Sequence, residues 1–340
     1  MTTRVAFLFP GQGSQAVGMG ADIFAASSAA KRVFEAVDEA LGTPLSDLCF
    51  HGPEDILRAT INAQPAIVTV SLAFLAAFQE ALSPQASSWA SPLTPSFTAG
   101  HSVGECAALV ASGALDLKGV ALLVRERGRL MHEEELACPG GMAAVIGMDA
   151  EALQEVCQEA TQRALAELSA GVTHPGQGQV VVANYNAPGQ IVISGEQHAL
   201  ALATELAKAR GAKRVIPLSV SGAFHSPVMQ PAAIGLARSI ESADIRDTPI
   251  PIIANITATP LTQAQEIRVE LAQQVATSVQ WTRTIEYLTS VGVTTFIEIG
   301  PGQALTGMIK RIAKGSTTIN VGTVPEVEKA AALVRDMGLI

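Results

Sequence analysis

The stretch FTAGHSVGECAAL, from Phe97 to Leu109, places Ser102 between two glycines, Gly100 and Gly104. Its first part is apolar, as in a short buried strand, and its last part is rich in helix formers. Glycines on both sides of a serine let a strand turn sharply into a helix and hold the side chain at the tip, as in a nucleophile elbow. The sequence therefore predicts a strand, a tight turn and a helix, with Ser102 as a candidate nucleophile.

The segments around this turn alternate between apolar strands and helices. Val5–Phe9 is a continuous apolar run, and a long apolar helix is predicted from about Pro65 to Leu82. Continuously apolar strands separated by helices are typical of a parallel sheet that is covered on both faces. We therefore predict an α/β fold whose larger, α/β-hydrolase-like domain has a parallel sheet at its core. The segment 83–96, rich in serine and proline, is predicted to be a loop.

The pattern changes between residues 140 and 217. A strand and a helix are followed by two strands around an Asn-Ala-Pro-Gly turn, then by a helix and a last strand. This βαββαβ order is that of ferredoxin-like modules. We therefore predict an inserted ferredoxin-like subdomain at 140–217, within a large α/β catalytic domain formed by residues 1–139 and 218–340.

The composition limits the class of protein. The 340 residues carry a net charge of −9 and contain no run of Lys and Arg, which argues against nucleic-acid binding. The four cysteines are scattered without C-x-x-C spacing, so neither a disulfide framework nor a metal site is predicted. No secretory signal is recognised, and no window is expected to reach the ~18 apolar residues of a membrane span. We expect a cytoplasmic protein.

An arginine stands within the apolar stripe of the helix that follows residue 116. The stripe has helical spacing and includes Arg127, whereas Arg125 and Arg129 fall on the opposite side, where we expect them to be solvated. A guanidinium directed at a core needs an anionic partner. Two interpretations stay open: a buried ion pair with a nearby Asp or Glu, or a receptor for a substrate carboxylate.

A serine nucleophile needs a base, which is usually a histidine. Among the six histidines, His225 directly follows an apolar strand and lies in an irregular loop, where catalytic groups are common. His101 is next to Ser102, but neighbouring side chains diverge. His225 is therefore the best candidate, by elimination.

The glycine-rich turn FPGQGSQAVG follows the first predicted strand. Its glycine spacing matches neither the dinucleotide fingerprint nor a Walker loop. Either the turn needs glycine backbone angles and nothing more, or it brings Gln12 to a cleft at the carboxyl ends of the strands.

These segments belong to a set of seven motifs whose order resembles malonyl-CoA:acyl carrier protein transacylases and, more distantly, the acyltransferase domains of polyketide synthases. The resemblance covers about residues 4 to 315. The motifs are FPGQGSQ, GHSVGE, RERGRLM, NYNAPGQIVISG, GAFHSPVM, SVQW and EIGPGQALTG.

The resemblance implies a reaction and the residues that carry it. It implies that Ser102 becomes a malonyl ester and that His225 is its base, in a Ser-His dyad. It also implies that Gln12 lies by an oxyanion hole to which the backbone N–H of Val103 contributes.

The same resemblance implies how the acyl group is recognised. Arg127 would pair with the malonyl carboxylate, and Gln64 would line the acyl pocket. Gln274, seven residues before Trp281, would orient the histidine through its carbonyl. Phe224, directly before the histidine, resembles malonyl-selective members and would crowd an extra methyl group.

The implied partners are malonyl-CoA and holo acyl carrier protein, and the implied pathway is fatty-acid or polyketide synthesis. No cofactor, metal, membrane or nucleic acid is expected. We expect a monomer. One rival interpretation is a serine hydrolase, although no HGGG-type oxyanion loop is found. The other rival is an inactive homologue that only docks the carrier.

Two basic clusters are candidate carrier-docking sites: Lys208, Arg210, Lys213 and Arg214; and Lys310, Arg311 and Lys314.

Overall fold

The computed structural model describes residues 4–83, 93–168 and 171–340, so most of the predicted loop at 83–96 lies outside the described residues. The strands are β1 (Arg4–Phe9), β2 (Phe97–Gly100), β3 (Gly140–Ile146), β4 (Val180–Ala187), β5 (Gln190–Glu196), β6 (Arg214–Pro217), β7 (Ile252–Ile253), β8 (Pro260–Leu261), β9 (Val293–Ile299) and β10 (Thr317–Val321). The helices are α1 (Ala21–Ala26), α2 (Ser28–Leu41), α3 (Leu45–His51), α4 (Glu54–Arg58), α5 (Thr60–Leu82), α6 (Gly104–Ser112), α7 (Leu117–Ala137), α8 (Ala150–Ala166), α9 (Gln197–Ala209), α10 (Gln230–Ser242), α11 (Ala264–Gln274), α12 (Trp281–Ser290), α13 (Ala304–Ile312) and α14 (Val324–Asp336).

The larger sheet has the strand order β10-β9-β1-β2-β7-β8, and all pairs in it are parallel except β7 with β8. Successive side chains of β1 point to opposite faces. Phe7 and Phe9 pack with α2 and α5 in one core, whereas Ala6 and Leu8 pack with α12 and α13 in another. Both faces are therefore covered, and the predicted α/β class with a parallel sheet is confirmed.

Helix α5 begins at Thr60, five residues before the predicted start at Pro65. Proline has no N–H to donate to the carbonyl four residues earlier, which is that of Ile61. Arg125 of α7 donates from Nη1 to this carbonyl oxygen at 2.8 Å. The expectation that Arg125 is solvated was therefore wrong, because its side chain is half-buried and replaces the bond that the proline cannot make.

The same helix corrects a second expectation. Among the described residues, Thr60–Leu82 is the one helix long and apolar enough to cross a membrane, although no such window was expected from the sequence. Within the fold, 89% of its most apolar window is buried. Its composition is explained by contacts with α2, α6, α7 and α14 on several sides, which leave almost no face for polar residues.

A second sheet lies between residues 140 and 217, with the strand order β4-β5-β3-β6 and antiparallel pairing throughout. Along the chain its elements follow as β3, α8, β4, β5, α9 and β6. The two helices and the sheet share an apolar core of their own, which includes Val145, Leu153 and Ile193. Backbone hydrogen bonds of Val279 with β4 join this sheet to the segment before α12.

Candidate active site

The turn between β2 and α6 requires the two glycines that flank Ser102. A Cβ on Gly100 would lie 1.9 Å from the backbone carbon of Gly104, and a Cβ on Gly104 would lie 2.2 Å from the carbonyl oxygen of Phe9. Both distances are far below van der Waals contact, so only glycine fits at either position. Ser102 itself has a φ of 53°, a left-handed conformation that is uncommon for a residue with a side chain.

This turn opens into a cleft with a volume of about 210 Å³ at the carboxyl ends of β1 and β2. Ligands of open α/β sheets bind in this region of the fold. Ser102 and Gln12 lie in the walls contributed by the larger sheet, and Met308 of α13 lies at another wall. The second sheet contributes Asn184 of β4 and Val192 of β5. Side chains from both sheets therefore shape one cleft.

His225 lies in the cleft against Ser102. The serine Oγ is 2.7 Å from His225 Nε2. On the other side of the ring, Nδ1 is 2.9 Å from the carbonyl oxygen of Gln274 and 3.0 Å from that of Thr277. Carbonyl oxygens only accept, so the ring proton is on Nδ1, and the Nε2 lone pair faces the serine hydroxyl. The contribution of Thr277 was not predicted from the sequence.

The surroundings of His225 keep its ring neutral. Burial, followed by the charge of Arg127 and the nearby ring of His101, lowers the pKa of His225 from 6.5 to about 3. A histidine that is neutral at physiological pH can accept a proton. His101 is directed away from the serine, because its Nε2 is 2.8 Å from Asn186 Oδ1.

Arg127 is only 3% exposed and contacts the serine directly. Its Nη2 donates to Ser102 Oγ at 3.2 Å and to Gln274 Oε1 at 2.8 Å, and its Nη1 donates to Gln64 Oε1 at 2.6 Å. Both amide oxygens are neutral acceptors, and no carboxylate forms an ion pair with Arg127 within the described ranges. Of the two interpretations that the sequence left open, the buried ion pair is therefore not the one found.

Two buried carboxyls lie behind this arrangement. Gln274 donates from Nε2 to Glu105, and Glu270 accepts from the backbone N–H of Ile256 at 2.9 Å. Burial, followed by the proximity of Glu270, raises the pKa of Glu105 well above its usual value. Burial also raises the pKa of Glu270 to about 7. The pair therefore carries less negative charge than two ordinary glutamates, so Glu105 compensates the nearby charge of Arg127 only in part.

Two backbone N–H groups near the serine are free to donate. Neither Val103 nor Gln12 has an acceptor for its N–H within the part of the chain that the structure describes. The side chain of Gln12 is held separately, since its Nε2 donates to Thr60 Oγ1 at 3.4 Å. Preorganised N–H donors next to a nucleophile can stabilise an oxyanion.

One residue close to the serine was missed by the sequence analysis. Asn255 follows β7 by two residues and is 2% exposed. Its side chain binds two backbone groups of the nucleophile turn, the N–H of Ser102 and the carbonyl oxygen of Gly100. The sequence offers no signal for it, because the contact joins positions that are more than 150 residues apart.

No group of three or more His, Cys, Asp or Glu in the described residues is arranged to hold a metal ion. The site residues predicted from the sequence lie close to one another. Within and around the cleft lie Ser102, His225, Gln12, Val103, Arg127, Gln64 and Gln274.

Comparison with known proteins gives consistent matches over nearly the whole chain. A family model described as an acyl transferase domain matches residues 6–336, so the likeness extends through β10 and α14, beyond residue 315, where the sequence resemblance ended. The malonyl CoA-acyl carrier protein transacylase of Bacillus subtilis is 44% identical over 335 residues, 98% of both chains. Its Escherichia coli counterpart is 38% identical over 311 residues, 91% of this chain and 93% of the other.

Solved structures agree with these matches. The acyl-carrier-protein-S-malonyltransferase of Bartonella henselae superposes with a TM-score of 0.88 at 39% identity, covering 99% of this chain and 100% of the other. A malonyl-transacylase solved in complex with a type II polyketide synthase acyl-carrier protein gives 0.87 at 36% identity, covering 97% and 100%.

Proposed function

The chain belongs to the acyl transferase family, and we propose that it transfers a malonyl group from malonyl-CoA to the phosphopantetheine thiol of holo acyl carrier protein. One observation carries this proposal. The Ser102 hydroxyl lies between the neutral His225 ring at 2.7 Å and the guanidinium of Arg127 at 3.2 Å, and that cation lacks a carboxylate partner. A nucleophile with a base on one side and a cation without a carboxylate partner on the other suits a thioester that ends in a carboxylate.

In the first half-reaction, Ser102 Oγ attacks the thioester carbonyl while its proton passes to His225 Nε2. The N–H groups of Val103 and Gln12 stabilise the oxyanion of the tetrahedral intermediate. When the intermediate collapses, the carbon–sulfur bond breaks and the imidazolium returns the proton to the coenzyme A thiolate. The product is a malonyl ester on Ser102.

In the second half-reaction, the thiol of the carrier gives its proton to His225 Nε2, and its sulfur attacks the ester carbonyl. The carbon–oxygen bond breaks, and the proton returns to Ser102 Oγ. The carbonyl oxygens of Gln274 and Thr277 accept from Nδ1–H throughout, so the imidazolium is stabilised without a carboxylate in a third position.

Arg127 selects the acyl group. A malonyl carboxylate can form charge-assisted hydrogen bonds with the guanidinium, which Gln64 and Gln274 hold in place. An acetyl group offers no carboxylate and leaves the buried charge unpaired. Phe224 lies in the cleft wall and is 4% exposed, so its ring restricts the space for a methyl branch. One methyl group is worth only ~1–3 kcal/mol, so malonyl is preferred over methylmalonyl by a limited factor.

We also propose the division of the chain that the sequence suggested, with an inserted ferredoxin-like subdomain at 140–217 and a catalytic domain of residues 1–139 and 218–340. The antiparallel pairing and the separate apolar core of the inserted segment support it. The inserted sheet contributes to the cleft, so this subdomain takes part in shaping the acyl site.

The reaction transfers one acyl group and moves protons, so no electrons need a redox carrier. We propose that the enzyme uses no cofactor or metal, that coenzyme A enters only as part of a substrate, and that the chain acts as a monomer in the cytoplasm. Fatty-acid and polyketide synthesis both require this transfer.

Of the two basic clusters, we propose that the one on α13 and just after it docks the carrier. Met308 of the same helix lies in the cleft wall, and Lys310 and Lys314 are exposed, with no ion pair to the described residues. In the other cluster, Lys208 is paired with Glu205, and Arg210 is paired with two further glutamates. Its Lys213 and Arg214 are exposed and form no ion pair with the described residues, but no residue of this cluster lies in the cleft wall. Unpaired cations next to the cleft are better placed to meet an acidic carrier.

The test is intact-protein mass spectrometry after exposure to malonyl-CoA, followed by addition of holo carrier protein. We expect a stable malonyl adduct on Ser102, no adduct in Ser102→Ala, and transfer of the adduct to the carrier. Rapid release of free malonate without transfer would favour the hydrolase interpretation. A folded wild-type protein without any adduct would contradict the proposal.

A further inference from the structure

The nucleophile turn is strained and needs support from outside itself. Ser102 has a φ of 53°, and positive φ at a residue with a side chain persists only where the surroundings enforce it. In this conformation two backbone groups of the turn need partners that the turn does not supply. They are the N–H of Ser102 and the carbonyl oxygen of Gly100, and both are taken up by one side chain, Asn255.

The geometry of Asn255 fits this double contact. The N–H of Ser102 donates to Asn255 Oδ1 at 2.8 Å, and Asn255 Nδ2 donates to the carbonyl oxygen of Gly100 at 2.7 Å. An N–H can only donate and a carbonyl can only accept, so the orientation of the amide is fixed by its partners. The carboxamide supplies one donor and one acceptor in this fixed relation without having to bind a proton.

Asn255 is itself held in place. Strand β7 pairs in parallel with β2, so the residues after both strands emerge side by side at the same edge of the sheet. The carbonyl oxygen of Asn255 accepts from the N–H of Gln280 at 2.8 Å, and the carboxyls of Glu105 and Glu270 lie against its N–H. A buried residue with its backbone bound on both sides is a rigid support for the turn.

We propose that Asn255 is a positioning residue that fixes the Ser102 turn for acylation. Its side chain holds the strained backbone and occupies the Ser102 N–H, so that the Val103 N–H remains the free donor of the turn. Asn255 does not touch the reacting atoms and acts through the direction of Ser102 Oγ toward His225 Nε2. This inference rests on the proposed function only for its natural substrate, because the geometry of the turn governs any acylation of Ser102.

The test compares Asn255→Leu and Asn255→Asp with a matched control, Thr248→Val. Thr248 is 5% exposed, and its hydroxyl donates to the carbonyl oxygen of Ser112 at 2.5 Å, at the far end of α6 from Ser102. The control thus removes buried side-chain bonds to the backbone, one at Ser112 at the end of α6 and one at Ile250, without touching the nucleophile turn. The readouts are single-turnover acylation by malonyl-CoA, labelling of Ser102 by a fluorophosphonate probe, and thermal unfolding.

We expect Asn255→Leu to lower the acylation rate constant of the folded protein by on the order of 100-fold while the KM for malonyl-CoA stays within about threefold, because a misdirected nucleophile slows the chemical step more than binding. Thr248→Val should keep the acylation rate within about twofold whatever its loss of stability. Acylation by folded Asn255→Leu at the wild-type rate would overturn the inference. A decrease that only follows the folded fraction, as in the control, would overturn it as well.

Asn255→Asp keeps the shape of the side chain and makes its donor to Gly100 depend on pH. Burial beside Glu105 and Glu270 raises the pKa of the introduced carboxyl, and its protonated form can still donate to Gly100. We expect acylation by this variant to fall as the pH rises from about 5.5 to 8.5, relative to wild type. A profile parallel to that of wild type would contradict the role of the Nδ2 donor.

The probe separates this inference from the proposed function. If wild type labels with the probe but takes no malonyl group, the proposed function fails. A slower labelling of Asn255→Leu then still supports the positioning role, and equal labelling overturns it.

Discussion

Replacing Arg127 with glutamine tests the basis of acyl selection. The guanidinium is 3% exposed and is held at 2.6 and 2.8 Å by the amide oxygens of Gln64 and Gln274, with Ser102 Oγ at 3.2 Å. Glutamine keeps a polar N–H donor at this position but removes the charge. Arg127→Gln therefore removes the partner of the malonyl carboxylate and leaves the nucleophile and the base in place.

The expected magnitude follows from the burial of the site. Truncating one partner of a buried, hydrogen-bonded charge pair costs about 2–5 kcal/mol, which corresponds to a decrease of about 30- to 5000-fold in kcat/KM for malonyl-CoA. Acetyl-CoA brings no carboxylate, so Arg127→Gln removes a buried charge that acetyl never paired. The rate with acetyl-CoA should stay level or rise. The ratio of the two kcat/KM values should thus fall by at least about 30-fold.

The assay is a competition between malonyl-CoA and acetyl-CoA, with the Ser102 adducts measured by intact-protein mass spectrometry. Arg129→Gln is the control, because Arg129 lies on the same helix but forms exposed ion pairs with Glu126 and Glu133. Exposed pairs contribute about 0–1 kcal/mol, so the control should keep the wild-type ratio. If Arg127→Gln slows both thioesters equally, Arg127 supports the serine in general and does not select the acid.

Three further predictions concern the base, the turn and the carrier. The pKa of His225 is lowered to about 3, so the neutral base persists in mild acid. The value of kcat/KM for malonyl-CoA should therefore stay level from about pH 8 down to about pH 5, and a decrease centred near pH 6.5 would contradict this. Gly104→Ala places a Cβ 2.2 Å from the carbonyl oxygen of Phe9 and should lower both the unfolding temperature and fluorophosphonate labelling of Ser102. Gly307→Ala, within α13 and with nothing within 4 Å, should leave the labelling unchanged and should not lower the unfolding temperature, because alanine is favoured over glycine in a helix interior by about 0.5–1 kcal/mol. Reversing the charge of Lys310 and Lys314 together should raise the KM for holo carrier protein several-fold without slowing acylation by malonyl-CoA, and an unchanged KM would exclude this surface.

The nucleophile turn could be predicted from sequence because its requirements are local. Gly100 and Gly104 are needed by contacts within a few residues, or with the neighbouring strand, and the pattern of the segment shows both the strand and the helix. Arg127 could be predicted as inward-facing for a similar reason, since helical spacing alone sets its direction. Its partners could not be predicted from helical spacing, because Gln64 and Gln274 belong to other helices and Ser102 to the nucleophile turn.

Other features depend on contacts that no local pattern records. The early start of α5 relies on the bond from Arg125 to the carbonyl of Ile61, which compensates for Pro65. Asn255 follows a strand of only two residues and owes its position to the pairing of β7 with β2. The break between α1 and α2, in contrast, has a local signal, because Ser27 caps α2 by accepting from the N–H of Ala30 at 3.1 Å.

The cleft takes its reacting atoms and part of its wall from different sheets. The reacting atoms of Ser102 and His225 are held by the larger sheet and its loops, whereas part of the wall comes from β4 and β5, through residues such as Asn184 and Val192. Substitutions on those strands can alter the size and polarity of the acyl chamber while the chemistry remains as it is. A redesign of the site for bulkier diacids can therefore begin on that small sheet and leave Arg127, which holds the carboxylate, in place.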